Sequence, residues 1–222
     1  MPKIGMEPIR RKALVSATIA EIGRAGSLDV TVSQIAKRAG VSSALAHHYF
    51  GGKEQIFLAA MRHILTIFGA AVRGALVVSE GPEARVRAII RASFEAGNFR
   101  EEVIAAWLNF YVLAQTSPQA RRLLKIYQKR LHSNLVFAMR PLFGDKEVSA
   151  AEGIASMIDG DYIRQALCDH RVGREQLREA EHHHWRRNQW RVYRSYLFFD
   201  PSPHWLEMIT GVHLHCQDFQ AQ

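Results

Sequence analysis

Residues 31–50 read TVSQIAKRAGVSSALAHHYF and predict two short helices joined by a tight turn. Thr31 precedes the first helix and Gln34 follows three residues later, the capping-box spacing in which each side chain satisfies a free backbone N–H. Gly40 accepts the left-handed conformation that ends a helix, and Ser42 can cap the second helix. The segment is therefore predicted to form a helix-turn-helix.

The second helix of this segment should bury one face and expose the other. Ala46 and Phe50 lie four residues apart and are expected to pack with Val41 against the first helix. The exposed face would then consist of Ala44, Leu45, His47 and His48. Such a small and neutral face can enter a major groove of DNA. The same pattern also fits an ordinary corner between two helices in any helical protein.

Positive charge is concentrated around the same segment. Residues 1–53 hold eight Lys and Arg against three acidic residues, a net charge of +5, whereas the whole chain carries +8. A basic surface attracts the phosphates of DNA independently of base sequence, with an affinity that falls as salt rises. Such charge alone would be an ordinary solvated surface, but together with the motif it favours DNA binding.

Composition is typical of a globular protein. The chain has 222 residues, of which 48% are hydrophobic, enough for one large or two modest domains with a buried core. Cys168 and Cys216 form neither a disulfide framework nor a metal-type pair, as is usual in a reducing cytosol. The N-terminal segment has charges and no continuous apolar stretch, so we expect neither a signal peptide nor a membrane span there. These features predict a soluble cytoplasmic protein without a cofactor, metal or membrane partner.

Apolar residues recur at helical spacing along most of the chain, which predicts an all-α fold. A first helix would have Pro8 in its first turn and end at Gly26, and a long fourth helix would begin at Lys53. Further helices are predicted over residues 82–94, 101–115, 117–140 and 149–167, with a break at 141–145.

The turn from Ala39 to Ser42, the aromatic pair Tyr49 and Phe50, and Lys53 three residues later form a recognisable pattern. In this pattern the chain resembles the TetR family of bacterial repressors. The opening MPKIGMEPIRRKALVSAT (1–18) and the later segments AAWLNF (105–110) and IDG (158–160) resemble more narrowly the choline-responsive members of that family. The resemblance implies a three-helix DNA-binding domain over 8–68, here called the head, and a helical ligand-binding and dimerisation domain over 69–180. Residues 181–222 show no such resemblance and form a divergent tail of unknown role.

The resemblance also implies roles for single residues of the head. Base edges would be read by Ser43, Ala44, Leu45 and His47, and phosphates would be held by Thr31, Tyr49 and Lys53. Physical chemistry agrees in part, because His and Ser can hydrogen-bond base edges and Ala and Leu can touch thymine methyl groups. An ammonium group at a helix start also lies where phosphate is favoured. For Tyr49 the alternative is a ring that closes the small core of the head.

Choline, or a related quaternary ammonium ion, is the effector that the resemblance implies. Such a cation has no N–H to donate, so aromatic faces with a carboxylate nearby hold it best. The candidates for this cage are Trp107, Phe110, Tyr111, Tyr127 and Tyr162, with Asp159 or Asp161 as the counter-charge. Alternatively, these rings are simply core, because an aromatic stripe at helical spacing is common on packed helices.

A homodimer is expected, because one recognition helix reads only a half-site and two heads must lie about 34–36 Å apart, or a multiple of that distance. The resemblance implies an interface built from residues 149–167 and a helix that begins near Gly173. Apolar residues in the first of these are Ile154, Met157, Ile158 and Leu167, which could equally belong to the core of one protomer.

The predicted function is a repressor of genes for choline uptake and glycine betaine synthesis, released from its operator by choline.

Other functions are weighed against this prediction. A repressor of the same family could respond to another small molecule. An enzyme acting on a cationic substrate is disfavoured, because the sequence has no Gly-rich phosphate loop, no paired-histidine zinc helix and no nucleophile elbow. Consecutive His182, His183 and His184 point in different directions along a helix, which disfavours a metal site in the tail. A divergent or frame-altered terminus accounts better for residues 181–222.

Overall fold

The computed structural model of the chain describes residues 5–95, 97 and 100–167. Over these residues the regular secondary structure is helical and no strand is present, which confirms the all-α prediction. The helices are α1 (Met6–Ala25), α2 (Val32–Arg38), α3 (Ser43–Phe50), α4 (Lys53–Val77), α5 (Pro82–Ser93), α6 (Glu101–Thr116), α7 (Pro118–Phe143) and α8 (Glu147–Leu167). The two cysteines, the helix expected near Gly173 and the tail lie outside the described residues.

Side-chain caps begin α2 and α3 as predicted. Thr31 Oγ1 accepts the N–H of Gln34 at 3.1 Å, and Gln34 Oε1 accepts the N–H of Thr31 at 2.7 Å, so the capping box is complete. Ser42 Oγ accepts the N–H of Leu45 at 3.2 Å. Both helices are short and gain little from length, so these caps fix where each one starts.

Gly40 ends α2 in the conformation that the sequence predicts. Its φ is +68°, and the N–H groups of Gly40 and Val41 bond to the carbonyls of Lys37 and Ala36. This pair of bonds is the Schellman closure, which needs a residue that tolerates the left-handed region. The turn between α2 and α3 is thereby set by backbone geometry at one residue.

A buried carboxylate ties α1 to α2 inside the head. Ile35 and Ala46 are fully buried, and Glu21 of α1 is buried near them at 5% exposure. The Glu21 carboxylate accepts hydrogen bonds from Arg24, at 2.7 Å, and from Arg38 at the end of α2. These two guanidinium groups hold the pKa of Glu21 below its ordinary value.

The long helix α4 continues from the head into the rest of the fold. Ile56, Ala60, Ile64 and Phe68 are buried at the predicted spacing of four. The helix runs without interruption past residue 68, where the head is predicted to end. By length and composition alone α4 could span a membrane, but these four residues belong to the protein core. Because α4 is continuous, a displacement of one end of the helix can move the other end.

Helix α6 is surrounded by several other helices. Helix α6 contacts α1, α7 and α8, while α5 packs on α4 and α7. The predicted apolar stripe of α6 faces this interior, since Val103, Trp107, Phe110 and Ala114 are at most 5% exposed and Tyr111 is half-buried. Three of the predicted aromatic residues, Trp107, Phe110 and Tyr111, therefore lie on a helix that has neighbours on several sides.

Two predicted boundaries near residue 145 are wrong by a few residues. Helix α7 continues through Pro141 to Phe143, although this proline has no N–H to donate within the helix. Gly144, with φ +52°, follows the helix, and Gly144–Lys146 form a 3₁₀ turn. Helix α8 then begins at Glu147 rather than at Ser149. The turn is shorter than the sequence suggested.

Candidate DNA-binding surface and effector site

The outer face of α3 carries the predicted base-reading residues, with one exception. Ala44 and His47 are exposed, as predicted, and Ser43 is half-buried with its hydroxyl oxygen 3.0 Å from that of Ser33. Leu45 is half-buried, so it is less exposed than the other residues of the predicted outward face. Its neighbour Ala46 is the buried residue of α3, and Leu45 and His47 lie at equal angles on either side of Ala46.

Thr31 and Lys53 lie at two helix starts, and both hydrogen-bond donors of Thr31 are engaged within the capping box. The N–H and the hydroxyl of Thr31 both donate to Gln34 Oε1, at 2.7 and 2.9 Å. Lys53 is the exposed first residue of α4, with its ammonium nitrogen 5.7 Å from the centre of the Phe57 ring. Amide dipoles at a helix start favour an anion, so Lys53 adds a full charge to a position that already attracts phosphate.

Tyr49 is half-buried and packs against side chains of α3 and α1. Its ring lies 5.6 Å from the His48 ring. The guanidinium carbon of Arg11 lies 5.1 Å from the centre of the Tyr49 ring and 5.2 Å from that of Phe50. These distances are those of cation–π contacts. Arg11 of α1 therefore contacts the end of α3 and connects the two helices.

The predicted cage residues meet in one group around Trp107, here called the aromatic cluster and made of Trp107, Phe110, Tyr111, Tyr127 and Tyr162. Measured from the centre of the Trp107 ring, the other rings lie at 6.0 Å (Phe110), 5.7 Å (Tyr111), 4.7 Å (Tyr127) and 5.9 Å (Tyr162). Such distances are typical of packed aromatic pairs. Three helices, α6, α7 and α8, therefore bring their aromatic residues to the same place.

Asp159 is the carboxylate that the structure joins to this cluster. Tyr127 donates its hydroxyl to Asp159 Oδ1 at 3.5 Å, and the hydroxyl of Tyr111 is near enough to the carboxylate to affect its pKa. Burial raises the pKa of Asp159, while the two hydroxyl groups act in the opposite direction. Burial beside this carboxylate also raises the pKa of Tyr111 and Tyr127 well above the usual range, so both keep their protons. Asp161, the other candidate, is half-buried further along α8.

Only some of the ring faces in the aromatic cluster are left for a cation to contact. Contacting carbon atoms need about 3.5–4.0 Å between them, so nothing fits between two rings whose centres are 4.7 Å apart. The hydroxyl of Tyr162 is engaged by the carbonyl of Ser93, and its ring stacks on Phe94 at 6.1 Å. Chemically, the arrangement offers aromatic faces next to one negative charge, which suits a cation without N–H donors.

Comparison with known proteins assigns the whole arrangement to a family. The family described as "Bacterial regulatory proteins, tetR family" matches residues 14–60, and the one described as "BetI-type transcriptional repressor, C-terminal" matches residues 82–188. The HTH-type transcriptional regulator BetI of Brucella anthropi is 58% identical over 168 residues, which cover 75% of this chain and 87% of that protein. The chain belongs to the TetR family, with a BetI-type C-terminal part. As in its relatives, the function is that of a transcriptional repressor and not of an enzyme.

Further TetR-family comparisons extend from sequence to fold. The BetI regulator of Rhizobium meliloti is 53% identical over 168 residues, covering 75% of this chain and 83% of that protein. A transcriptional regulator from Pseudomonas aeruginosa PAO1 has a TM-score of 0.62 at 23% identity, covering 85% of this chain and 94% of that one. A regulator from Saccharomonospora viridis in complex with choline has a TM-score of 0.68 at 18% identity, covering 82% and 98%. At these identities the two structures show the shared fold.

Apolar residues of α8 divide between the core and the surface of this TetR-family protomer. Ile154 and Ile158 are at most 3% exposed in the single chain, so they belong to its own core. Met157 is half-buried, and Ile163 and Leu167 are 39% and 69% exposed. Of the residues predicted for a dimer interface, Met157 and Leu167 therefore retain accessible surface.

Several residues around both sites were not predicted from the sequence. Arg11 was counted only as charge, and Ser33 was not considered at all, because each meets its partner on another helix. Around the aromatic cluster, Phe68 of α4 packs edge-on against Tyr127 at 5.7 Å, and Phe94 stacks on Tyr162. Phe68 was assigned only a place in the core by its spacing. No local signal in the sequence connects such residues to their partners.

A cavity of about 210 Å³ lies apart from the aromatic cluster, between α1, α4 and the start of α6. Its lining includes Ser16 and Ile19 of α1, His63 of α4, and Arg100 and Glu102 at the beginning of α6. The sequence did not indicate this cavity. It borders the place where the first helix of the TetR-type head meets α6.

Proposed function

We propose that this protein represses genes for choline uptake and glycine betaine biosynthesis and leaves its operator when choline binds. The observation that carries the proposal is the meeting of Trp107, Tyr111 and Tyr127 with the Asp159 carboxylate. Aromatic faces and a nearby negative charge are complementary to a quaternary ammonium ion. The BetI names of the relatives and the choline bound to the S. viridis regulator support the same ligand.

The head, residues 8–68, would bind the operator through α3. In this proposal the base edges are read by Ser43, Ala44, Leu45 and His47, and the phosphates are held by Thr31, Tyr49 and Lys53. Exposed His47 can accept or donate a hydrogen bond, and half-buried Leu45 can still touch a thymine methyl group. Phosphate contacts position the head, while α3 supplies the sequence preference.

Residues 69–180 would bind the effector and hold a homodimer. Two copies of α3 must match two half-sites about one helical turn of DNA apart, roughly 34–36 Å, or a multiple. The accessible apolar residues of α8, Met157, Ile163 and Leu167, are available for contact with the second protomer. The spacing of the two heads then depends on how the helices beneath them are arranged.

Release would follow from a shift between two conformers. Phe68 of α4 packs edge-on against Tyr127 of the aromatic cluster, with ring centres 5.7 Å apart. A cation that moves Tyr127 therefore acts on the helix that begins with Lys53 at the DNA surface. The size of the effect is limited by the difference between the affinities of choline for the two conformers.

A gel-shift titration on the chain's own upstream DNA tests the proposal. Choline is compared with 3,3-dimethylbutan-1-ol, which has the same shape but carries a carbon in place of the charged nitrogen. We expect choline at millimolar concentration to release the DNA and the neutral analogue to leave it bound, because the rings and Asp159 attract charge as well as shape.

The titration has clear opposing outcomes. Failure of choline to release the DNA would remove the effector assignment. Equal potency of the neutral analogue would show that the cluster recognises shape alone. Absence of any salt-sensitive complex with upstream DNA would contradict operator binding itself.

A further inference from the structure

Helix α7 has the most one-sided charge of the long helices in the described part of the chain. Over Pro118–Phe143 it carries six Lys and Arg and no Asp or Glu. Helices α4 and α8, which are of similar length, each carry acidic residues as well. Because no acidic residue of α7 offsets its cations, the exposed side of this helix attracts anions along much of its length.

Two of the six cations of α7 are engaged within the protein. Arg121 donates to two backbone carbonyls at the end of α6, at 3.1 and 2.5 Å. Arg140 lies 3.5 Å from the carboxylate of Glu147. The other four are exposed, and within residues 5–95, 97 and 100–167 none of them forms an ion pair: Arg122, Lys125, Lys129 and Arg130.

Three of these four cations share one face of α7. At about 100° per residue, Arg122, Lys125 and Lys129 fall within about 60° of arc, and Arg130 lies about 80° away from Arg122. The first three are here called the basic stripe. At about 1.5 Å per residue the stripe extends about 10 Å along the helix axis.

The basic stripe begins beside the DNA-facing part of the head. Ser117, which caps α7, is 5% exposed and donates its hydroxyl to Glu54 Oε1 at 2.5 Å. Glu54 follows Lys53, the residue proposed to hold a phosphate. Arg122 lies five residues after Ser117, about 7.5 Å along the helix. That length is comparable to the distance of about 8 Å over which charges act at physiological salt, so the near end of the stripe adds to the attraction that Lys53 exerts on phosphates.

The composition of the basic stripe suits a nucleic-acid backbone better than a packed protein partner. Protein interfaces have an apolar centre, but the exposed large apolar residues of α7, Ile126, Phe137 and Leu142, lie outside the arc of the stripe. Duplex DNA carries about one charge per 1.7 Å of its axis, so about 10 Å of duplex presents roughly six phosphates. The stripe therefore matches DNA in the sign and the density of its charge.

We propose that the basic stripe is a second DNA-contacting surface, which binds the phosphate backbone of the duplex that flanks the operator half-site. The head reads the half-site through α3, while the stripe holds the neighbouring DNA without regard to base sequence. Operator affinity then depends on the length of the DNA as well as on its sequence. This inference rests on the proposed function for operator binding only, and not for the identity of the effector.

The first test compares two fragments of the upstream DNA, one that ends at the outer edges of the operator and one extended by about one helical turn, roughly 10 base pairs, on each side. We expect the unmodified full-length protein to bind the longer fragment more tightly. The slope of log K against log salt should also be steeper, by about 0.9 for each flanking phosphate that is contacted. Fluorescence anisotropy between about 50 and 200 mM salt measures both quantities. Equal affinities and equal slopes for the two fragments would overturn the proposal.

Paired variants test whether the basic stripe is the source of this difference. Arg122→Gln combined with Lys125→Gln removes two charges and keeps a good helix former at both positions. The matched control is Arg73→Gln combined with Lys146→Gln, at exposed positions near the end of α4 and in the turn before α8. Arg73 lies about 30 Å along α4 from Lys53. We expect the stripe variant to lose the dependence on DNA length and the control to retain it, whereas equal loss in both would show that net charge alone is responsible.

Single substitutions test where along α7 the DNA approaches. Arg122→Gln should reduce the difference between the two salt slopes more than Lys129→Gln, because Arg122 lies nearer to the start of α7 and to Lys53. A larger effect of Lys129→Gln would contradict a contact that spreads outward from the head.

The remaining outcomes separate this proposal from the proposed function. If choline fails to release the DNA but the dependence on DNA length is present, only the effector assignment is wrong. If choline releases the operator but both fragments behave alike, only the stripe proposal is wrong. Absence of a salt-sensitive complex with either fragment would remove both. Binding of poly-glutamate that is lost in the stripe variant, without any dependence on DNA length, would assign the stripe to an acidic protein partner and overturn the DNA contact.

Discussion

The hydroxyl of Tyr127 on α7 meets the carboxylate of Asp159 on α8 at 3.5 Å, beside the ring of Trp107. Burial raises the pKa of this carboxylate, and the tyrosine hydrogen bonds offset part of that effect. The tyrosine hydroxyl groups are neutral, and a partly buried carboxylate is costly to ionise without a counter-charge nearby. A cation supplied from outside would give it one.

Asp159→Asn should change stability and choline binding in opposite directions. The raised pKa means that the folded protein binds the proton of Asp159 more tightly than the unfolded chain does. Protonated Asp159 therefore contributes to stability below the ordinary pKa of 3.8, and that contribution is lost as the pH rises through the folded-state pKa. We therefore expect Asp159→Asn to raise the melting temperature at neutral pH and to weaken choline binding about tenfold, or 1.4 kcal/mol. Calorimetric titration and thermal melts check both, with exposed Glu152→Gln on α8 as the control. A loss of both stability and affinity would contradict the assignment.

Truncating Trp107 should affect the whole fold. The side chain is 4% exposed and contacts four other rings, so Trp107→Ala removes a large buried volume. We expect the free energy of unfolding to fall by about 3–5 kcal/mol. Val112→Ala, at a position on α6 that is 58% exposed, should change it by less than about 0.5 kcal/mol. Urea denaturation followed by circular dichroism measures both, and similar values for the two would argue against a packed cluster.

Two glycine-to-alanine substitutions should have opposite signs. At Gly40 and at Gly74 an added Cβ meets nothing within 4 Å, so crowding is equal and only backbone conformation differs. Gly40 has φ +68°, and Gly40→Ala should destabilise by about 1–2 kcal/mol. Gly74 lies in regular α4, and Gly74→Ala should stabilise by about 0.5–1 kcal/mol. Thermal unfolding of the pair is the measurement, and shifts of the same sign would refute the turn geometry.

Removing the charge of Glu21 should weaken the head at neutral pH. Its pKa is lowered by Arg24 and Arg38, so the stability that it contributes is present above the ordinary value of 4.5 and is lost as pH falls. We expect Glu21→Gln to lower the free energy of unfolding by about 1–3 kcal/mol at neutral pH, with a smaller difference in acid. Glu7→Gln, in an exposed ion pair with Arg11, should be nearly silent. A pH-independent difference for Glu21→Gln would exclude the ionic explanation.

Phosphate and base contacts should respond differently to substitution. We expect Lys53→Ala to weaken binding to operator and random DNA alike, and to reduce the slope of log K against log salt by about 0.9 for each phosphate that is no longer neutralised. His47→Ala should weaken operator binding selectively. Fluorescence anisotropy at several salt concentrations distinguishes the two, with exposed Lys146→Ala, in the turn before α8, as the control. Selective loss of operator binding in Lys53→Ala would reverse the assigned roles.

The sequence predicted what depends on neighbouring residues. The capping box at Thr31, the glycine stop at Gly40 and the cap at Ser42 are each settled within a few residues, so their patterns were sufficient. The helical period likewise predicted the buried stripe that carries Trp107. The helical period did not distinguish half-buried Leu45 from exposed His47, because the two lie at equal angles on either side of buried Ala46.

Contacts between distant segments could not be predicted from the sequence. Gly23 meets Glu102 and Asn109 meets Gly26 only because α1 and α6 cross, and no spacing within either helix indicates that crossing. The pairing of Arg11 with Tyr49 is of the same kind. Pro141 was read as a break because its ring disfavours a helix interior, but its location in a final turn depends on where Gly144 ends the helix.

If Ser43 reads a base as proposed, the hydrogen bond between its hydroxyl and that of Ser33 lets α2 influence recognition. One proton is shared in that link, so the direction in which it points decides whether Ser43 meets a nucleotide as a donor or only as an acceptor. Guanine presents acceptors in the major groove where cytosine presents a donor. A change confined to position 33 would thus alter the preferred base opposite Ser43, and operator preference could drift while every residue of α3 stays the same.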